Sequence, residues 1–150
     1  MVVGCDGLHS SVRQLSWGPD KNFVKYLGYY CGSFITTNYT HREEKTYTSY
    51  AEPGRQISRY ALRGGRTAFL FVFARERMFE QHPDLEAAKA ILRKTFESDR
   101  WTEVPEILKR LENCDDLLFR FCQSGSHVGM AKRTNRAGGR CCVLSVAFSR

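Results

Sequence analysis

An α/β opening followed by a mainly antiparallel sheet with flanking helices is the fold class this sequence predicts. Three observations carry that α+β reading. An apolar strand end runs into Asp6-Gly7, aromatic and β-branched runs are punctuated by Pro53-Gly54 and Gly64-Gly65, and a helical period sets in after Pro83. With 150 residues, 42% of them hydrophobic, the chain is long and apolar enough to bury a core. No apolar run approaches the roughly 20 residues that span a bilayer. The opening residues lack the basic flank of a secretory leader, so a cytoplasmic protein with no membrane partner is expected.

Each element has its own reason. Val2-Val3-Gly4-Cys5 reads as the end of a buried strand, and Asp6-Gly7 as the turn that follows it. His9 to Leu15 reads as a short helix with polar cap residues at its start, and Gly18-Pro19-Asp20 as a loop. Tyr26, Leu27, Tyr29, Tyr30 and the run Phe34 to Thr37 favour strands, as does Thr46 to Ala51. Gln56 to Leu62 and Thr67 to Phe73 flank Gly64-Gly65 as the two arms of a hairpin. In the second arm Phe69, Phe71 and Phe73 share one face at period two, which either packs in the core or lines a pocket. Leu85, Ala88, Ile91, Leu92 and Phe96 recur at three and four, with Asp84 and Glu86 where they suit a helix dipole. Trp101 to Leu111 reads as a second helix, and Asp116 to Phe119 begins another strand.

The formal net charge of +7 is not spread along the chain. All 16 acids lie at or before Asp116, and residues 1–119 carry 17 Lys and Arg against them. Residues 120–150 hold the other 6 basic residues and no acid. A basic arm for nucleic acid is one reading of that tail, an unselected reading frame another. The six cysteines form no C-x-x-C pair and the four histidines no H-x-x-x-H, so no metal site is expected.

The stretch with chemistry in it is Cys5-Asp6-Gly7-Leu8-His9-Ser10-Ser11-Val12-Arg13. A strand ending in Asp-Gly puts a carboxylate and an unhindered backbone outside the carboxyl end of a sheet, where α/β folds collect ligands. The helix start beyond it offers N–H groups to a phosphate, and Arg13 a charge suited to pyrophosphate. The bland reading of the same residues is a strand-to-helix turn with Asp6 as cap and Arg13 solvating its helix.

This segment resembles the Asp-Gly motif of the class A FAD-dependent monooxygenases, in which an apolar strand leads into Asp-Gly-x-x-Ser-x-x-Arg. Asp6, Gly7, Ser10 and Arg13 match every fixed position. Lys25 to Tyr30 and Glu52-Pro53-Gly54-Arg55 also resemble the substrate-domain sheet of bacterial members, so the likeness runs over residues 1 to about 119. The resemblance implies an NAD(P)H-using enzyme whose reduced FAD carries oxygen to a small aromatic or related organic substrate. It implies that Asp6, Gly7, Ser10 and Arg13 serve the cofactors, with Arg13 toward NAD(P)H phosphates. Phe69, Phe71, Phe73 and the tyrosines would belong to the sheet walling the substrate pocket, and no side chain is named as catalytic.

Two family elements are absent, the Gly-x-Gly-x-x-Gly turn and the later Gly-Asp motif. The expected organisation is therefore a remnant of the FAD-binding layer over 1–18, a substrate-binding sheet domain with two helices over 19–119, and an unstructured or out-of-frame tail over 120–150. A one-base shift in permitted codons for Arg120 to Ala131 gives Asp-Ser-Val-Ser-Gln-Val-His-Met-Trp-Glu-Trp, which resembles the family strand before its Gly-Asp motif. The function expected is a monooxygenase fragment inactive alone. The alternative is a non-catalytic remnant that binds through its basic tail at most, though nucleic acid is not the expected partner.

Overall fold

The computed structural model describes residues 2–125, 131–136 and 139–145. Its elements are β1 (Val2–Gly4), α1 (Ser11–Trp17), β2 (Val24–Thr37), β3 (Tyr47–Glu52), β4 (Arg55–Ala61), β5 (Arg66–Ala74), α2 (Leu85–Phe96), α3 (Val104–Glu112), β6 (Leu117–Gly125), β7 (Ala131–Arg136) and β8 (Gly139–Ser145), with a short 3-10 turn over Asp20–Asn22. The chain divides into two compact units, one of residues 28–122 and one of residues 1–27 with 123–150. The expected α+β fold is present.

In the larger unit five strands lie in the order β3-β4-β5-β2-β6. The Gly64-Gly65 hairpin forms as expected. Ala61 pairs with Thr67, the Leu62 N–H reaches Arg66 O at 2.8 Å, and both glycines sit at positive φ, +73° and +69°. A tight hairpin turn needs that left-handed backbone, and glycine supplies it without a Cβ penalty.

Helices α2 and α3 pack on one face of this sheet. Asp84 caps α2 by accepting the Ala87 N–H at 2.8 Å, and Ala88, Leu92 and Phe96 form its buried stripe. Val104, Ile107, Leu108 and Leu111 do the same for α3, which starts at Val104 with Pro105 in its first turn. Gly32 of β2 receives α2 closely: a Cβ there would fall 2.8 Å from Leu92 Cδ1. Between the layers Phe34 stacks on Phe69 with centroids 5.0 Å apart, and Phe71 meets Phe96 edge-on at 5.1 Å.

The smaller unit holds the sheet β1-β8-β7. β1 runs parallel to β8, with Val2 opposite Val143 and Gly4 opposite Ser145, and β7 pairs antiparallel with β8. This corrects the expected tail. β6 continues to Gly125, and 131–136 and 139–145 are strands, so the described part of 120–150 is not unstructured. The expected separation of 1–18 from 120–150 also gives way, because β8 is the sheet partner of β1. The helical and strand periods looked for in the sequence miss short strands whose pairing comes from a neighbour rather than from an alternating apolar face.

Candidate functional site

The Asp-Gly turn leaves β1 at its carboxyl end, beside the parallel strand β8. Gly7 has φ +76°, and a Cβ there would meet nothing within 4 Å, so the residue is glycine for its backbone angle and its peptide faces open space. Asp6 is exposed, and its Oδ2 accepts the Val12 N–H at 3.2 Å. The Ser10 hydroxyl donates to Asp6 and, with the Val12 amide, holds that carboxyl below the usual aspartate range. Ser10, itself buried, accepts the Arg13 N–H at 3.0 Å as N-cap of α1.

Arg13 corrects two expectations. It is 2% exposed, so it neither solvates its helix nor lies open to a dinucleotide phosphate. One guanidinium nitrogen, Nη2, donates to Leu8 O and to Asp20 Oδ1, the latter at 2.5 Å, and the guanidinium lies over the Phe23 ring at 5.5 Å. Asp20, expected only as part of a loop, is thus the anchor of the motif's last residue. It also meets His9 Nδ1 at 3.1 Å, and Arg13 foremost holds its carboxyl low. The sequence signal was an acid seven residues beyond Arg13, after a Gly-Pro that turns the chain back.

The helix start is likewise less free than expected, since the Val12 and Arg13 N–H groups are taken by Asp6 and Ser10. What the turn presents outward is the Asp6 carboxylate and the Gly7 backbone. Asp6 and Gly7 are thus the residues of the turn open to a ligand, while the Arg13 guanidinium is enclosed.

Phe69, Phe71 and Phe73 are buried to 0%, 0% and 4% exposure. They face α2 and the rings of Phe34, Tyr39 and Phe96, so the structure places them in the core, not on an open wall. Burial by the helix layer decides between the two readings the sequence left.

The opposite face of the same strands carries neither α2 nor α3, and the register maps it. Tyr47, Tyr60, Ala68 and Ile35 form one row across β3, β4, β5 and β2. Ser49, Ser58, Leu70 and Ser33 form the next, and Ala51, Gln56, Val72 and Cys31 a third. Tyr47 and Tyr60 stack with centroids 6.3 Å apart and are half exposed. Gln56 Nε2 donates to Ser58 Oγ at 2.9 Å and to Tyr47 Oη at 3.4 Å, and Ser58 Oγ donates to Ser49 Oγ at 3.3 Å. Sequence reading put the tyrosines on the sheet that walls the pocket but missed Gln56, Ser49 and Ser58, although strand alternation puts Leu70 and Val72 opposite the Phe stripe. Among the described residues no group of three or more His, Cys, Asp and Glu comes together to hold a metal, and no helix is long and apolar enough to cross a membrane.

No protein-family model matches the chain. An uncharacterized Mycobacterium tuberculosis protein, Rv1260 in strain H37Rv, is 30% identical over 122 residues, which cover 79% of this chain and 32% of that protein. The tetracycline destructase Tet(51) superposes with a TM-score of 0.63 at 26% identity, over 97% of this chain and 37% of that one. Tet(55) gives 0.71 at 21% identity over 97% and 36%. HpxO of Klebsiella pneumoniae, solved with FAD and uric acid, gives 0.67 at 18% identity over 97% and 35%. The chain spans about a third of the length of these proteins. Its fold is that of the class A FAD-dependent monooxygenase superfamily.

Proposed function

We propose that these residues serve an FAD-dependent, NAD(P)H-using monooxygenase acting on a small aromatic or related organic substrate. The observation that carries this reading is the Asp6-Gly7 turn at the carboxyl end of β1, outward-facing and braced from behind by Ser10, Arg13 and Asp20. FAD, when bound, supplies the oxygen-transfer chemistry. Asp6, an acceptor held ionised, suits a hydroxyl of the cofactor, while the Gly7 backbone lets the pyrophosphate region approach. Ser10 and Arg13 position the turn. The substrate wall is the helix-free face of the sheet, with Phe69, Phe71 and Phe73 supporting it from the core.

The turn is one binding element, and affinity for a large cofactor concentrates in a few well-formed contacts. The purified chain is therefore expected to be colourless and to leave NAD(P)H unoxidised. A preparation yellow with stoichiometric flavin would overturn the inactivity. The contact itself is read by titrating FAD and following flavin fluorescence: Asp6→Ala should weaken binding by about tenfold, the loss of one charge-assisted hydrogen bond. Equal affinity in the variant would remove Asp6 from the cofactor site.

A further inference from the structure

The three rows on the helix-free face contain no charged side chain. The same strands carry Glu52, Arg55 and Arg59 on their other face. Among the described residues, Arg55 shares a cavity with Gln56 and Val72 but is held by Glu52, Asp99 and Thr95 O, and Lys109 and Arg110 share one with Ile35, at the far side of the sheet from Tyr47. Arg66 lies at the hairpin end, and Arg120 on the edge strand is turned to Phe119 O at 3.0 Å and His82 Nε2 at 3.3 Å. A carboxylate laid beside Tyr47, Tyr60 and Gln56 would lose water, and the cation next to it, Arg55, is already committed to Glu52 and Asp99, which costs binding. The Tyr47-Tyr60 stack offers a flat apolar platform. Gln56 spends its amide nitrogen on Ser58 and Tyr47, leaving its carbonyl oxygen to face a ligand. Ser58, 0% exposed, holds that amide from below.

We infer that this face takes an uncharged planar ring bearing a hydrogen-bond donor, which meets the Gln56 carbonyl, and that it rejects carboxylates. The inference rests on the reading of this face as the substrate wall. Benzamide and benzoate test it, being nearly equal in size and shape but differing in charge and in the donor. On the full chain, saturation-transfer NMR with tyrosine ring shifts should show benzamide at Tyr47 and Tyr60, and benzoate at least about tenfold weaker. Gln56→Lys and, separately, its cross-strand neighbour Val72→Lys should reverse that order, with circular dichroism confirming that each variant folds. Benzoate binding the face as well as benzamide does would overturn the charge inference and leave the wall in place. If neither meets the face, wall and inference both fall, while the flavin titration still decides the Asp6-Gly7 contact.

Discussion

Replacing Arg59 with methionine isolates a buried ion pair of the sheet domain. Arg59 Nε lies 2.8 Å from Glu103 Oε2 and Nη2 lies 3.2 Å from Oε1, a two-pronged pair joining β4 to the start of α3. The two side chains are 5% and 11% exposed, and the Tyr39 hydroxyl adds a bond to Glu103 Oε2 at 2.7 Å. Burial first, and then that bond, push the Tyr39 phenol well above its ordinary range, so it stays a donor. Removing Arg59 leaves the carboxylate buried against one hydroxyl, a loss of about 4 kcal/mol. A domain of this size holds about 5–15 kcal/mol in all. The melting temperature should fall by about 20 °C. Urea unfolding followed by circular dichroism gives the cost directly. The companion Arg59→Met/Glu103→Met should recover most of the loss, because apolar side chains of similar volume replace a buried pair at little net cost. A single-variant cost below about 1 kcal/mol would mean that the pair behaves as a solvated one, refuting the argument. A double variant as unstable as the sum of both singles would refute it too.

Gly7→Ala, at φ +76° with open space around it, should cost about 1 kcal/mol through backbone strain alone, read as faster amide exchange at Val12 and Arg13. Gly32→Ala should destabilise the sheet domain by about 2 kcal/mol, since its Cβ would meet Leu92 Cδ1 at 2.8 Å, and Leu92→Ala in the same chain should return part of the loss. Because Arg13 holds the Asp20 carboxyl below its ordinary 3.8, that pair contributes fully above pH 3.8 and is lost as pH falls through the lower folded value. Trp17 fluorescence should show an acid transition there that Asp20→Asn abolishes; an unchanged transition would put the cause elsewhere. The Cys31 thiol, raised by burial first and then by Cys122, should alkylate more slowly than the exposed Cys5, and Cys122→Ser should speed it. The out-of-frame origin expected for residues 120–150 is decided by sequencing the gene: codons after Phe119 that cannot encode a neighbouring-frame strand would end that idea.

Local chemistry is what the sequence alone determined. Gly64-Gly65 between two β-branched and aromatic runs can close only as a tight hairpin, and the three-and-four spacing from Leu85 to Phe96 with Asp84 ahead of it can scarcely be anything but a capped helix. Asp6, Gly7, Ser10 and Arg13 were legible as a set through their resemblance to the Asp-Gly motif, and the structure keeps three of their bonds within a few residues of one another. Tertiary structure decided what depends on a partner distant in sequence. Which face of β5 is core was settled by α2 and α3 covering the Phe stripe, since alternation gives two faces and does not say which one the helices will bury. Arg13 could be read as a free cation until the chain, turned by Gly18-Pro19, brought Asp20 to it. The strands of the last residues escaped notice for the same reason: β8 is held by β1 at the other end of the chain, and backbone pairing of that kind leaves no period in the sequence.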